Sequence, residues 1–201
     1  MAERTAELLA LSVTLHPAHD LIRRAQVATL AGRLGYAAVI APADLDPAEL
    51  AQLQEYAGPA RVLRDGADAG PGLVRRADPE LVRQARARVG AGGRVIVDVP
   101  VAIGRTHQEA VARAARDPRF TGEAHPEHSG LFGTFEQAQA VVLELARAGA
   151  DELRATLADE IDLADLLAQT RALVVGATAT LLERTDATGS GPPPPVRFVT
   201  K

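Results

Sequence analysis

The chain contains no cysteine and no tryptophan, and only one methionine, four phenylalanines and two tyrosines. Without thiols there is no disulfide, no thiol nucleophile and no thiolate metal site, and nothing in the sequence reports the redox compartment. An aromatic share of 3% leaves no platform on which bases or sugars would stack. No apolar run approaches the roughly 18 residues that span a bilayer. The opening MAERTAELLALSVTL has acids where a signal peptide has a basic region, so the expectation is a cytoplasmic protein with no membrane partner. Concentrated positive charge is missing too: 22 Lys and Arg stand against 26 Asp and Glu, interleaved along the chain. A net charge of −4 therefore argues against a nucleic-acid partner.

What is present is enough apolar material for one substantial core: 201 residues, 47% hydrophobic. It is laid out as alternating strand and helix signals. LLALSVTL (8–15) is a nearly continuous β-capable run, as expected of a strand covered on both faces. Asp20 can cap a helix that carries Leu21, Ile22, Ala25, Ala28, Leu30, Ala31 and Leu34 at helical spacing and stops at Gly35. A second buried strand, YAAVIAP, follows. Asp46–Pro47 and Asp78–Pro79 start further helices, proline being preorganised for the first helical position. A weaker strand, ARVLRD, lies between them, followed by the glycine-rich loop GADAGPGLVRRA (66–77).

RVIVDVPVAI (94–103) is the strongest strand signal. Its two-residue period puts Val95, Val97, Val99, Val101 and Ile103 on one face, with Asp98 and Pro100 on the other. Asp98 is then either buried against a partner, an arginine being the natural one, or on a wet face. Pro100 predicts an edge or irregularity, because it removes a ladder donor. Thr106 with Glu109, and Thr134 with Gln137, have capping-box spacing. A fifth strand is predicted over about 152–157 and a final amphipathic helix through Ile161, Leu163, Leu166, Leu167 and Leu173. From residue 186 the composition changes to a Pro-rich tail, read as a stiff end outside a domain of residues 1–185. The alternative for VRFVT is addition to an exposed sheet edge.

Three stretches together resemble the luciferase-like monooxygenases, a family that includes FMN- and F420-dependent oxidoreductases. LAGRLGYAAVIAPAD resembles the family's first helix and second strand, RVIVDVPVAIGRTHQEAVARAARD a late strand and its helix, and GLFGTFEQAQAVVLELARAGADEL the closing unit of the barrel. The resemblance covers about half of the chain. It implies an α/β fold, with FMN or F420 as cofactor and a small-molecule substrate. The family has about eight strands, whereas five are predicted here, the missing units falling centrally. Five parallel strands cannot close as eight do, since strand number, tilt and stagger are linked. The expectation is thus an incomplete (β/α) barrel, a parallel sheet of about five strands with flanking helices. Its open edges predict a homodimer or hetero-oligomer.

Reacting groups in parallel α/β folds gather at the carboxyl ends of the strands. His16, Asp44, Asp65, Arg105 and Asp159 stand there. The resemblance implies an acid–histidine pair after the second strand, at positions that here read Ala43 and Asp44; the histidine is missing and His16 is its nearest substitute. His16 and Asp44 are accordingly the candidate catalytic residues. Arg105 and Thr106, at a helix start that favours anions, are the candidate cofactor contacts. His16 with His19, and His125 with His128, lie around prolines in loop-like sequence, so no metal site is expected. The glycine-rich stretches lack a phosphate-loop Lys-Ser/Thr and a G-x-G-x-x-G. Two functions remain open: a shortened flavin or F420 oxidoreductase, or a non-catalytic subunit that associates through its open edge.

Overall fold

A computed structural model describes residues 9–66, 70–120, 126–157 and 163–189. Along the chain run β1 (Ala10–Thr14), α1 (Leu21–Arg33), β2 (Ala38–Ala41), α2 (Pro47–Ala57), β3 (Arg61–Arg64), β4 (Leu73–Val74), α3 (Pro79–Val89) and β5 (Ile96–Gly104). Then follow α4 (His107–Ala114), α5 (Pro126–Ser129), β6 (Leu131–Thr134), α6 (Phe135–Arg147), β7 (Glu152–Thr156) and α7 (Leu163–Gly189). All strand pairs are parallel, in the order β3-β2-β1-β7-β5-β4, with β6 paired to β5. Among the described residues the sheet ends at β3 and β4 and does not close, so the expected open α/β sheet with flanking helices is the architecture observed. Two short strands, β4 and β6, add to the five that the apolar runs predict.

Local chemistry sets the helix starts. The carboxylates of Asp20, Asp46 and Asp78 accept backbone N–H groups of the first turns of α1, α2 and α3, satisfying donors that the helix itself leaves unpaired. Thr134 and Gln137 form the reciprocal capping box of α6. In the Leu-Gly-Tyr turn after α1, Gly35 takes φ 75°. That turn also anchors α7: the Tyr36 hydroxyl donates to the Leu167 carbonyl at 2.9 Å and Arg171 Nε to that of Leu34 at 3.1 Å. Helix α7 continues past residue 185, the expected domain limit, through Gly189; the proline run and the VRFVT segment lie outside the described residues.

The main core lies on one face of the sheet. Leu11 and Val13 of β1, Val39 of β2, Val97 and Val99 of β5 and Leu153 and Ala155 of β7 meet Val82, Ala138, Val142 and Leu145 of the helices. Pro100 marks a change of partner: β5 pairs with β7 from Ile96 to Pro100 and with β6 from Val101 to Gly104. The amino ends of the strands are tied by Arg86. Its guanidinium donates to the carbonyls of Gly149, Gly90 and Gly93 and pairs with Asp151, whose carboxylate also accepts the Val95 N–H. The β3 edge is guarded by α2, where the Gln54 amide accepts the Val62 N–H at 2.9 Å and donates to the Ala60 carbonyl at 3.0 Å. Among the described residues no helix is long and apolar enough to cross a membrane.

Helices α1 and α2 touch backbone to backbone. A Cβ built on Gly32 would lie 2.1 Å from the Ala57 carbonyl oxygen. Gly32→Ala should therefore lower stability by about 1–3 kcal/mol through overpacking, outweighing the helix-propensity gain of about 1 kcal/mol. Urea unfolding midpoints of the two proteins test this; an unchanged or raised midpoint would show that the crossing relaxes.

Candidate functional site

Strand register places a different chemistry on the second face. Ser12 lies opposite Arg154, which lies opposite Asp98, while Glu152 and Thr156 flank Arg154 two residues either side. These are buried charges: Glu152 is 2% and Arg154 3% exposed. Buried ions persist where they are paired, and here Glu152 accepts from the Ser12 hydroxyl and pairs with Arg94 at 2.7 Å, with Arg154 Nε 3.9 Å away. The ionic row runs on through Asp98 to Arg119, at 3.8 Å. Toward the carboxyl end a small apolar cluster, Ala102, Ala110, Ala114, Phe120 and Phe132, covers this face.

Between that cluster and the loops after the strands lies a cleft of about 550 Å³. Thr14 and His16 reach it from the end of β1, Pro42 from β2, Asp65 from β3, Arg75 and Arg76 from β4, Asp98 and Pro100 from β5, and Thr156 from β7. Arg119 and Ser129 close the wall. Three polar atoms in it are buried without a hydrogen-bond partner: Thr14 Oγ1, Asp98 Oδ1 and Ser129 Oγ. A larger recess of about 740 Å³ runs along α1, beside α2 and the start of α7. It is mainly apolar and is lined by helical residues alone, so the smaller cleft is the place for chemistry.

His16 stands in the cleft. Its Nδ1 accepts the Ala18 N–H at 3.2 Å, which assigns the proton of the neutral ring to Nε2, and its ring lies 5.4 Å from that of His19. Asp44 is exposed on the loop after β2 and does not line the cleft. Arg105 and Thr106 are likewise exposed and outside it. Their helix start is already filled: the Glu109 carboxylate accepts the Arg105 N–H at 2.9 Å, and Thr106 Oγ1 accepts the Glu109 N–H at 3.2 Å. Asp65 lines the cleft, with one oxygen taking the Gly66 N–H. Asp159 and His125, and the side chain of His128, lie outside the described residues. Among the described residues no three His, Asp or Glu side chains cluster as a metal site.

The structure thus brings together His16 and Asp98 with groups that sequence reasoning passed over: Arg75, Arg76, Arg119, Ser129 and the Ser12–Glu152–Arg154 row. A signal existed for part of this set. Charged residues at single positions of otherwise apolar strands, as in VDV and LRA, face a polar interior when both neighbours face a core. Asp98 falls between its two readings, half-buried with one oxygen enclosed, and Arg119 and Arg154 are its arginine neighbours.

No family model and no curated protein matches the chain. Solved structures do. The chain is similar to apo-MsnO8, with TM-score 0.57 and 16% identity over 85% of this chain and 98% of that one. It is also similar to the coenzyme F420 dependent tetrahydromethanopterin reductase of Methanopyrus kandleri, with TM-score 0.58 and 9% identity over 84% of this chain and 99% of that one. At such identities the likeness is one of fold: a distant relationship to luciferase-like, TIM-barrel-type architecture.

Burial pushes the Asp98 carboxyl above the usual aspartate range; Arg119 and Arg154 pull the other way, and Asp65 adds to the rise. A raised value in the folded state means that ionisation opposes folding, so Asp98's contribution is full below the unfolded value of about 4 and is lost as pH rises through the folded one. Asp98→Asn should remove that loss. Denaturant midpoints of both proteins from acid to neutral pH should diverge upward in favour of the variant; parallel curves would contradict the assignment.

Proposed function

We propose that the chain is a shortened luciferase-like oxidoreductase that binds FMN or F420 in the cleft at the carboxyl ends of its strands. The observation that carries this is the convergence there of an imidazole from the end of β1, two guanidinium groups from the end of β4 and a half-buried carboxyl from β5. The cleft volume falls in the range of about 300–1,000 Å³ typical of small-molecule sites. Ser129 Oγ, which has no hydrogen-bond partner, and Asp98 Oδ1, which faces Arg119 at 3.8 Å without a hydrogen bond, supply positions that a polar ring system fits. The fold likeness to an F420-dependent reductase supports the same reading.

The bound cofactor would supply hydride chemistry. The residues that would hold it are Thr14, Asp98, Ser129 and Thr156 on the floor, with the arginines at the rim. His16, through Nε2, is the group placed to pass a proton to or from a bound molecule. Titration of the purified protein with FMN and with F420, followed by visible absorbance and fluorescence, tests the reading. Saturable binding of one of them is expected, with His16→Ala retaining binding while losing turnover by about a hundredfold. Absence of binding by a folded protein removes the oxidoreductase reading.

A second reading, association without catalysis, is favoured by the apolar recess on α1. Ile22 is 72% and Tyr56 46% exposed there. On that reading the protein sediments as a dimer or hetero-oligomer and Ile22→Glu yields monomer. A wild-type protein that sediments as monomer, alone and with cell extract, discards it.

A further inference from the structure

The cleft is chemically lopsided. On its floor, Asp98 Oδ1 and Ser129 Oγ are buried without a hydrogen-bond partner, and Ser129 is 6% exposed. A buried hydroxyl left unmatched, as Ser129 Oγ is, carries a desolvation cost that a ligand atom at that position recovers. At the rim, Arg75 and Arg76 follow β4 side by side, and both line the cleft. The other carboxylates nearby are partly engaged by the chain itself. Asp117 takes the Arg119 N–H at 2.8 Å and faces its guanidinium at 3.6 Å, and Asp65 takes the Gly66 N–H. Arg119 is thus shared between Asp117 and Asp98, and Arg75 and Arg76 add two further guanidinium groups to the lining at the end of β4.

We propose that the cleft selects a two-ended ligand, with a phosphate or carboxylate against Arg75 and Arg76 and an N–H or O–H donor against Asp98, Ser129 accompanying it. The inference rests on the cofactor reading for the identity of the ligand, but its polarity stands on the cleft alone. Arg75, Arg76, Asp98 and Ser129 line one cleft of about 550 Å³, so the two ends are within one small molecule's reach. For a flavin this orients the ring toward β5 and the phosphate toward the β4–α3 loop. Guanidinium–phosphate contacts are charge-assisted and worth about tenfold or more in affinity.

FMN and riboflavin share a ring and differ in the phosphate, so their comparison isolates the anionic end. By calorimetry or flavin fluorescence, FMN should bind about tenfold or more tightly than riboflavin. The paired variant Arg75→Ala with Arg76→Ala should reduce FMN to the riboflavin level and leave riboflavin unchanged. Asp98→Ala should weaken both by the same factor. Inorganic phosphate should compete with FMN in the wild type and not in the arginine variant. Equal affinity for the two flavins, or an arginine variant that binds FMN as well as the wild type does, overturns the proposal while the cofactor reading survives. If neither these flavins nor F420 binds, the cofactor reading falls. Direct titration with inorganic phosphate then decides the polarity of the cleft: arginine-dependent binding sustains it, and no binding overturns it. Circular dichroism of each variant separates loss of a contact from loss of fold.

Discussion

The structure depends on a row of charges that crosses the middle of a parallel sheet and is buried at its centre, at Glu152 and Arg154. Arg94, Glu152, Arg154, Asp98 and Arg119 alternate in sign along it. An ion taken from water without a partner costs several kcal/mol even after relaxation, whereas a row of alternating sign lets each member offset its neighbour's desolvation. Because β1, β7 and β5 are in register at Ser12, Arg154 and Asp98, the row exists only when these three strands pair as they do. Removing Glu152 would take from the buried Arg154 a carboxylate neighbour on its own strand. The row therefore penalises any slip of register, which would carry charges into the apolar face.

The row also explains where the cleft lies. The helix-covered face is filled by Leu, Val and Ala side chains, so little space remains there. On the other face the charged floor cannot be sealed by an apolar helix. The partner exchange at Pro100 then lets β6, α4 and Phe120 cover only the part beyond the row. What lies between is a polar hollow at the carboxyl ends. The opposite ends are fastened by Arg86 and Asp151, whose bonds join α3 to the segments before β5 and β7. One end is tied and the other is left for a ligand.

Much of the scaffold was legible because it is set by neighbours in sequence. Asp20, Asp46, Asp78, Thr106 and Thr134 cap helices as their spacing implies, and the split of β5 into a valine face and an Asp98–Pro100 face follows from the two-residue period. Strands β4 and β6 escaped because two and four residues carry too little periodicity to separate from loop. The site was legible at His16 and Asp98, which belong to or adjoin well-marked strands. Arg75, Arg76 and Arg119 were not, since loops far apart in the chain meet only after the sheet has formed. Arg105 and Thr106 show how a local argument stops short: the helix start attracts negative charge, and the chain's own Glu109 answers it.

The small amide on α2 has a consequence for assembly. By occupying the Val62 and Ala60 backbone groups, Gln54 stands in for the next strand. One margin of the sheet is thus closed to backbone pairing at these positions, while the other ends in a strand only two residues long. Growth by stacking margin on margin needs two receptive sides in every subunit. A molecule with one side stoppered can terminate such a chain but cannot propagate it, so an unfinished barrel survives without becoming the seed of a fibre.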